Sequence, residues 1–462
     1  MDSPKHLTRT LGLGLAIVLV LGNVIGSGIF KKVAPMAAEL HSSGWILLCW
    51  LIGGLITMFG AISNAEIAGM LADTGGEYVY YKKIYNKFFS YLYGWSNFAA
   101  IKSAAVASIA YVFAESVQSL IHFSPVLSSL EQWNIFGIFY PFSGFNVKLI
   151  AIALIIILTW FNSLGLRSGA RFSFIILLLV VTGILVIAVA GGTSGQANIS
   201  NAFSFSTNGA GPVTFSAVFT AMLAAFWAYE GWNTIGFLGG EIKNANRNLP
   251  LSLIIGLFIV ILLYLIANTA YLSVMSIPEM EAVNSAGNQV AAIEVVRSFW
   301  GEGGIIFISI LILFSTLGCT HATILSNART PFAMAREGLF FAPMAKINKH
   351  NVPGNALWYQ CVWACLLVMS GSFDQLTDML IFAAFIFYGA TTLGVFILRK
   401  KMPDAKRPYK VWGYPVIPAL FIIFCIGLII NTVYARTREA GIGLVLILIG
   451  IPFYWWFKRK KK

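Results

Sequence analysis

The sequence predicts an all-α integral membrane protein with twelve transmembrane helices, and three observations carry that expectation. Of its 462 residues, 58% are hydrophobic and only 11% are charged, with a mean hydropathy of +0.79. Soluble domains carry about 25% charged residues, so this little polar surface cannot cover a particle of this size and lipid must cover the rest. Apolar runs also recur at the length of roughly 20 residues that a spanning helix needs. Finally, the basic residues cluster in alternate connections between those runs, which is the bias that sets membrane orientation.

Taken in order, the runs lie near 10–38, 44–70, 88–121, 147–163, 171–191, 213–238, 249–275, 304–328, 356–371, 375–399, 414–432 and 440–457. The first is interrupted by glycines and the sixth by an acid. The third is long and the ninth short, which implies tilt or overhang. Ala291 to Trp300 is too short to span and reads as a loop helix ahead of the eighth run. A cytoplasmic segment 1–9 precedes the first run with no small-residue cleavage site, and a basic cytoplasmic tail, 458–462, follows the last.

Placing both termini in the cytoplasm puts 24 of the 31 lysines and arginines on that side, including Lys82, Lys83, Lys87, the run Arg399 to Lys410 and the tail. The expected location is therefore the cell membrane, crossed many times. The net charge of +13 follows from this bias and does not call for nucleic acid. The five cysteines fall inside apolar runs without metal-site spacing, and no G-x-x-x-x-G-K-[ST] loop is present. No metal, cofactor or ATP-driven chemistry is expected.

Two runs are broken. Gly22 to Phe30 reads G-N-V-I-G-S-G-I-F, and three glycines with a serine weaken a helix at mid-membrane. Trp227 to Asn233 reads W-A-Y-E-G-W-N, with an acid beside a glycine. Unwound backbone cannot face lipid. Breaks in the first and sixth runs, the first of each five, point to a transporter's central site. Gly26-Ser27-Gly28 alone also reads as close helix packing. The N–H groups of Gly26, Ser27 and Gly28 would suit an anion, and the carbonyls of Val24, Trp227, Ala228 and Glu230 a cation. A zwitterion matches both. Trp227 reads either as an aromatic lid or as packing.

At these residues the chain resembles the amino acid–polyamine–organocation superfamily, and within it the L-type amino-acid transporters and their bacterial relatives. The resemblance also rests on N-A-E-I (Asn64–Ile67), D-T-G-G-E-Y-V-Y-Y (Asp73–Tyr81), G-G-E-I-K-N-A-N-R-N-L-P (Gly239–Pro250) and S-N-A-R-T-P-F-A-M-A-R-E-G-L (Ser326–Leu339). It implies a LeuT-like fold of two inverted five-helix repeats, 10–191 and 213–399, with peripheral helices over 414–457. It further implies substrate binding by Val24, Ile25, Gly26, Ser27, Gly28, Trp227, Ala228 and Glu230, with Ser27 and Gly28 on the substrate carboxylate. Aligned from Arg171, Val180 stands where many relatives carry a lysine, so coupling is left open. Ala245 replaces a usual proline. The eukaryotic light chains carry a cysteine in the loop corresponding to His122–Asn146; there is none here, so no disulfide-linked ancillary subunit is expected.

Ionisable residues inside the runs are functional candidates. Glu230 reads as the partner of a cationic substrate, as a proton carrier or as a cap on its own broken helix. Lys102 reads as a charge near the site, replacing the one Val180 lacks, or as a snorkelling side chain. His321 reads as titratable or as locally satisfied. Glu66 is expected to pair with a basic group in an inner connection, and Glu115 to reach the outer interface. The function expected is secondary transport of free α-amino acids by alternating access, as sodium-independent exchange. Proton-coupled symport and a transporter-like sensor are the alternatives. An enzyme would need a clustered nucleophile or base, and the five histidines are scattered; a channel would need symmetric pore segments.

Overall fold

The computed structural model describes residues 9–460 apart from 122, 125, 136–139, 208, 287–289 and 372. The segment 1–8, tail residues 461 and 462, and the Arg171 side chain used as an alignment anchor lie outside the described residues. Among the described residues there is no strand longer than an isolated bridge.

The first run forms α1 (Leu13–Val24), then α2 (Gly28–Lys31) and α3 (Val33–Leu40), parted at 25–27 where the glycines predicted a break. Next come α4 (Ser43–Met70), the short α5 (Glu77–Ile84), and α6 (Lys87–Ser96) joined through a π turn, Asn97–Ile101, to α7 (Lys102–Leu120). Then follow α8 (Phe145–Asn162), α9 (Leu166–Gly192), the short α10 (Ile199–Ala202) and α11 (Phe215–Tyr229). The second half continues with α12 (Ala245–Val274), α13 (Ile277–Ser285), α14 (Ala291–Asn327), α15 (Arg329–Arg336), α16 (Gly354–Ser370), α17 (Phe373–Lys401), α18 (Val416–Ala435) and α19 (Thr437–Lys460).

Ten of these segments are long and apolar enough to cross a membrane. Two apolar helices are shorter: α11, with 15 residues, and α16, with 17. The short helix expected over Ala291 to Trp300 is present as the first part of α14. It joins the rest of α14 across a bend at Gly301, whose backbone (φ 61°, ψ −147°) is open to glycine because it has no Cβ.

Burial sorts the helices into centre and perimeter. In their most apolar stretches, 78% of Leu13–Lys31 and 89% of Lys87–Leu120 is buried, against 33% for each of the last two helices. The last two therefore face lipid, and α18 reaches the centre only through its packing on α17, α4 and α11. α1 packs on α12, α9 and α14, so the first break lies inside protein, as unwound backbone in a bilayer must.

Candidate functional site

α11 ends where the acid and glycine predicted. Glu230 is extended (φ −64°, ψ 147°), and Gly231 has φ +105°, after which the chain continues in 3-10 turns from Trp232 to Phe237. A Cβ on Gly231 would lie 2.5 Å from the Asn23 carbonyl oxygen, and one on Gly28 would lie 2.4 Å from Ala228 Cα. The two breaks therefore touch backbone to backbone, which only glycine permits. Close packing and site formation are the same feature here.

Between the breaks is a cavity of about 20 Å³, room for roughly one water. Its lining includes Val24, Gly26, Ser27, Gly28, Trp227, Glu230 and Lys102, together with Asn23, Ala105, Ile109, Gly231, Thr234, Cys319 and Thr323. Of the other expected residues, Ile25 lines a second cavity of about 10 Å³ with Val180, Ser315 and Cys319. Ala228 packs against Gly28. His321 does not line the central cavity; its ring lies 5.5 Å from that of Phe161.

Several hydrogen-bonding groups remain open at the cavity. Among the described residues, the Ser27 hydroxyl and the Trp227 indole N–H are buried without a partner, and the N–H groups of Gly26 and Ser27 donate to no backbone carbonyl. Buried polar groups are seldom left this way. The carbonyls expected to be free are largely engaged. The Tyr264 hydroxyl lies 2.9 Å from both the Val24 and Ala228 oxygens, and the Glu230 N–H donates to Trp227 at 3.1 Å. Broken helices inside a bundle must satisfy the groups they release, and one phenol proton serves two carbonyls only in turn. Ser315 likewise stands 3.2 and 3.3 Å from the Ile25 and Gly26 oxygens.

The embedded charges are paired. Lys102 Nζ is 2.6 Å from Glu230 Oε1, with both side chains buried, so Lys102 neither snorkels nor joins the cavity beside Val180. The Tyr388 hydroxyl lies 2.8 Å from each Glu230 oxygen. Asn233 stands 3.4 Å from Lys102 and donates to Glu77 at 2.7 Å. Asn64 also donates to Glu77, and burial pushes the Glu77 carboxyl above its usual range against those hydrogen bonds. Glu66 pairs with Arg399 at 2.7 Å and Arg407 at 3.3 Å, the structural role expected. Glu115 pairs with Lys31 at 2.7 Å, partly buried.

Both ends of the cavity are closed. At one end Trp227 meets Phe373 edge-on at 5.7 Å, and Lys31 and Lys32 stand over the Phe373 ring. At the end carrying the termini, Thr10 and Leu11 donate to the Glu241 carbonyl at 2.9 and 3.0 Å. The Glu241 carboxylate takes a two-pronged bond from buried Arg329 at 2.9 and 3.2 Å, and Gly75 N–H binds the Phe237 carbonyl at 3.0 Å. Sequence reasoning quoted Glu241, Arg329 and Asn233 within motifs but assigned them no role. It missed Tyr264 and Tyr388, whose hydroxyls have no periodicity that separates them from core packing.

The sequence profile of the amino acid permease family matches residues 11–453. The chain is 30% identical to the serine/threonine exchanger SteT of Bacillus subtilis, over 98% of each chain. It is 28% identical to the human b(0,+)-type amino acid transporter 1, over 100% of this chain and 90% of the relative. It is 29% identical to the human large neutral amino acids transporter small subunit 2, over 97% and 80%. With a permease profile along nearly its whole length and transporters as its relatives, the chain is a transporter and not an enzyme, and it belongs to the amino acid permease family.

Proposed function

We propose that this protein moves α-amino acids across the cell membrane by alternating access, exchanging one for another without sodium. The observation that carries the reading is the set of open donors at the junction of two broken helices: the Ser27 hydroxyl, the Trp227 N–H and the backbone N–H groups of Gly26 and Ser27. A substrate carboxylate would take those donors. Its ammonium would take the carbonyls of Val24, Ala228 and Glu230, displacing the shared Tyr264 bond. The cavity must widen to admit even a small amino acid, with Trp227 and Phe373 parting at one end and the Glu241–Arg329 contact at the other.

In this reading the ten long helices together with α11 and α16 make twelve crossings, and the two breaks head inverted repeats of five. Both termini face the cytoplasm, so the Trp227 end faces outward. No ancillary subunit is disulfide-linked. The cavity beside Val180 is lined by Ser173 and Ser315 with no carboxylate, so a sodium ion there would rest on hydroxyls and backbone oxygens alone.

The test uses purified protein in liposomes, with and without internal amino acid, under separately imposed sodium and pH gradients. Uptake is expected to need internal substrate and to ignore sodium. Concentrative uptake into empty vesicles driven by sodium or protons alone would sink the exchange reading.

A further inference from the structure

We infer that Lys102 is a charge filter that bars cationic amino acids from the site, so that the exchanged substrates are those with uncharged side chains; this rests on the transport reading above. A buried carboxylate in the break of α11, taken alone, invites an arginine or lysine side chain. The structure answers that charge from within. Lys102 Nζ sits 2.6 Å from Glu230 Oε1, and the two side chains are 3% and 6% exposed. Both line the central cavity with Ser27 and Trp227. The Tyr388 hydroxyl lies 2.8 Å from each Glu230 oxygen and donates its one proton to either in turn, so the carboxylate already has an internal cation and an internal donor.

Backbone geometry holds Lys102 in place. It follows directly on the π turn Asn97–Ile101, whose wider winding offsets the register of α7 and is frequent at functional sites. The other acid of the network, Glu77, is engaged by Asn64, Asn233 and Tyr93 and does not line the cavity. A cationic side chain entering here must lie beside Lys102 or evict it. Either leaves a buried like-charge contact or an unpaired buried ammonium, and both are strongly unfavourable. An uncharged side chain meets neither penalty.

The experiment is exchange of radiolabelled L-serine and L-leucine in liposomes containing the full chain, with competition by unlabelled L-serine, L-leucine, L-arginine and L-lysine. In wild type the uncharged pair is expected to compete, and arginine and lysine to compete at least about tenfold more weakly. In Lys102→Met the ratio of arginine to leucine competition is expected to rise at least about tenfold, while Lys102→Arg keeps the wild-type ratio. Lys102→Met/Glu230→Gln, with neither charge, is expected to lose the gain. If Lys102→Met does not elute as folded protein, Lys102→Gln, which still hydrogen-bonds Glu230, takes its place.

Arginine competing as well as leucine in wild type overturns the filter while leaving transport standing. An unchanged ratio in folded Lys102→Met or Lys102→Gln does the same. Failure of all four amino acids to exchange or compete overturns the transport reading, and the filter with it.

Discussion

At the residue scale, Ser27 and Gly28 sit side by side yet contribute by different physics. Ser27 has a buried hydroxyl without a partner, so removing it vacates little packing and loses one hydrogen bond to ligand. Ser27→Ala is expected to fold as wild type and to weaken apparent affinity for all amino acids by about fivefold, the equivalent of roughly 1 kcal/mol; exchange kinetics and a melting curve check both halves. Gly28 has no room for a methyl group, because a Cβ would fall 2.4 Å from Ala228 Cα. Gly28→Ala must push the two breaks apart, at a cost of about 1–3 kcal/mol, and is expected to lose exchange and melt lower. A Gly28→Ala variant that melts with wild type would contradict the backbone contact described above.

At the element scale, broken helices survive in a bilayer because neighbouring helices supply what the break removes. α12 contributes Tyr264, whose hydroxyl faces one carbonyl from each break. α14 contributes Ser315 to the first break and Cys319, whose thiol lies 3.2 Å from the Asn23 oxygen. Tyr264→Phe keeps the ring contacts with Trp50 and Tyr229 and removes only the proton. It is expected to cost about 1–3 kcal/mol in stability, the desolvation penalty of a buried unsatisfied carbonyl. Added amino acid should restore part of that loss, since a bound ammonium takes the same oxygens and ligand binding stabilises the native state by mass action. Thermal melts of wild type and variant, each with and without L-serine and L-leucine, measure both effects.

At the scale of the whole molecule, the two closures differ in strength. The Trp227–Phe373 contact is one edge-on aromatic pair. At the opposite end, the N-terminal strand of chain at Thr10 and Leu11, the turn before α5 and buried Arg329 all fasten onto the stretch from Phe237 to Glu241. Arg329→Met leaves the Glu241 carboxylate buried without its guanidinium, at a cost of about 3–5 kcal/mol. That penalty falls on the closed arrangement and is relieved when the end opens to water. Amide exchange at Thr10 and Leu11 is therefore expected to accelerate by at least about tenfold, with little change in α18 or α19; uniform acceleration throughout the chain would indicate global destabilisation instead.

What the sequence determined by itself was whatever depends on neighbours along the chain. Ten of the apolar runs, the glycine-rich interruption at 25–27 and the Glu230-Gly231 stop of α11 are local signals that appear in the structure. The orientation bias of the basic residues is equally local. Tertiary structure decided which distant groups meet. Lys102 and Glu230 lie 128 positions apart, and no periodicity links them, so a residue that read as snorkelling or as a stand-in for Val180 became the buried partner of the acid. Tyr264, Tyr388 and Arg329 were hidden for the same reason: a hydroxyl or guanidinium in an apolar run acquires its meaning from the carbonyl or carboxylate that packing brings to it, and packing is not written in the spacing of one helix.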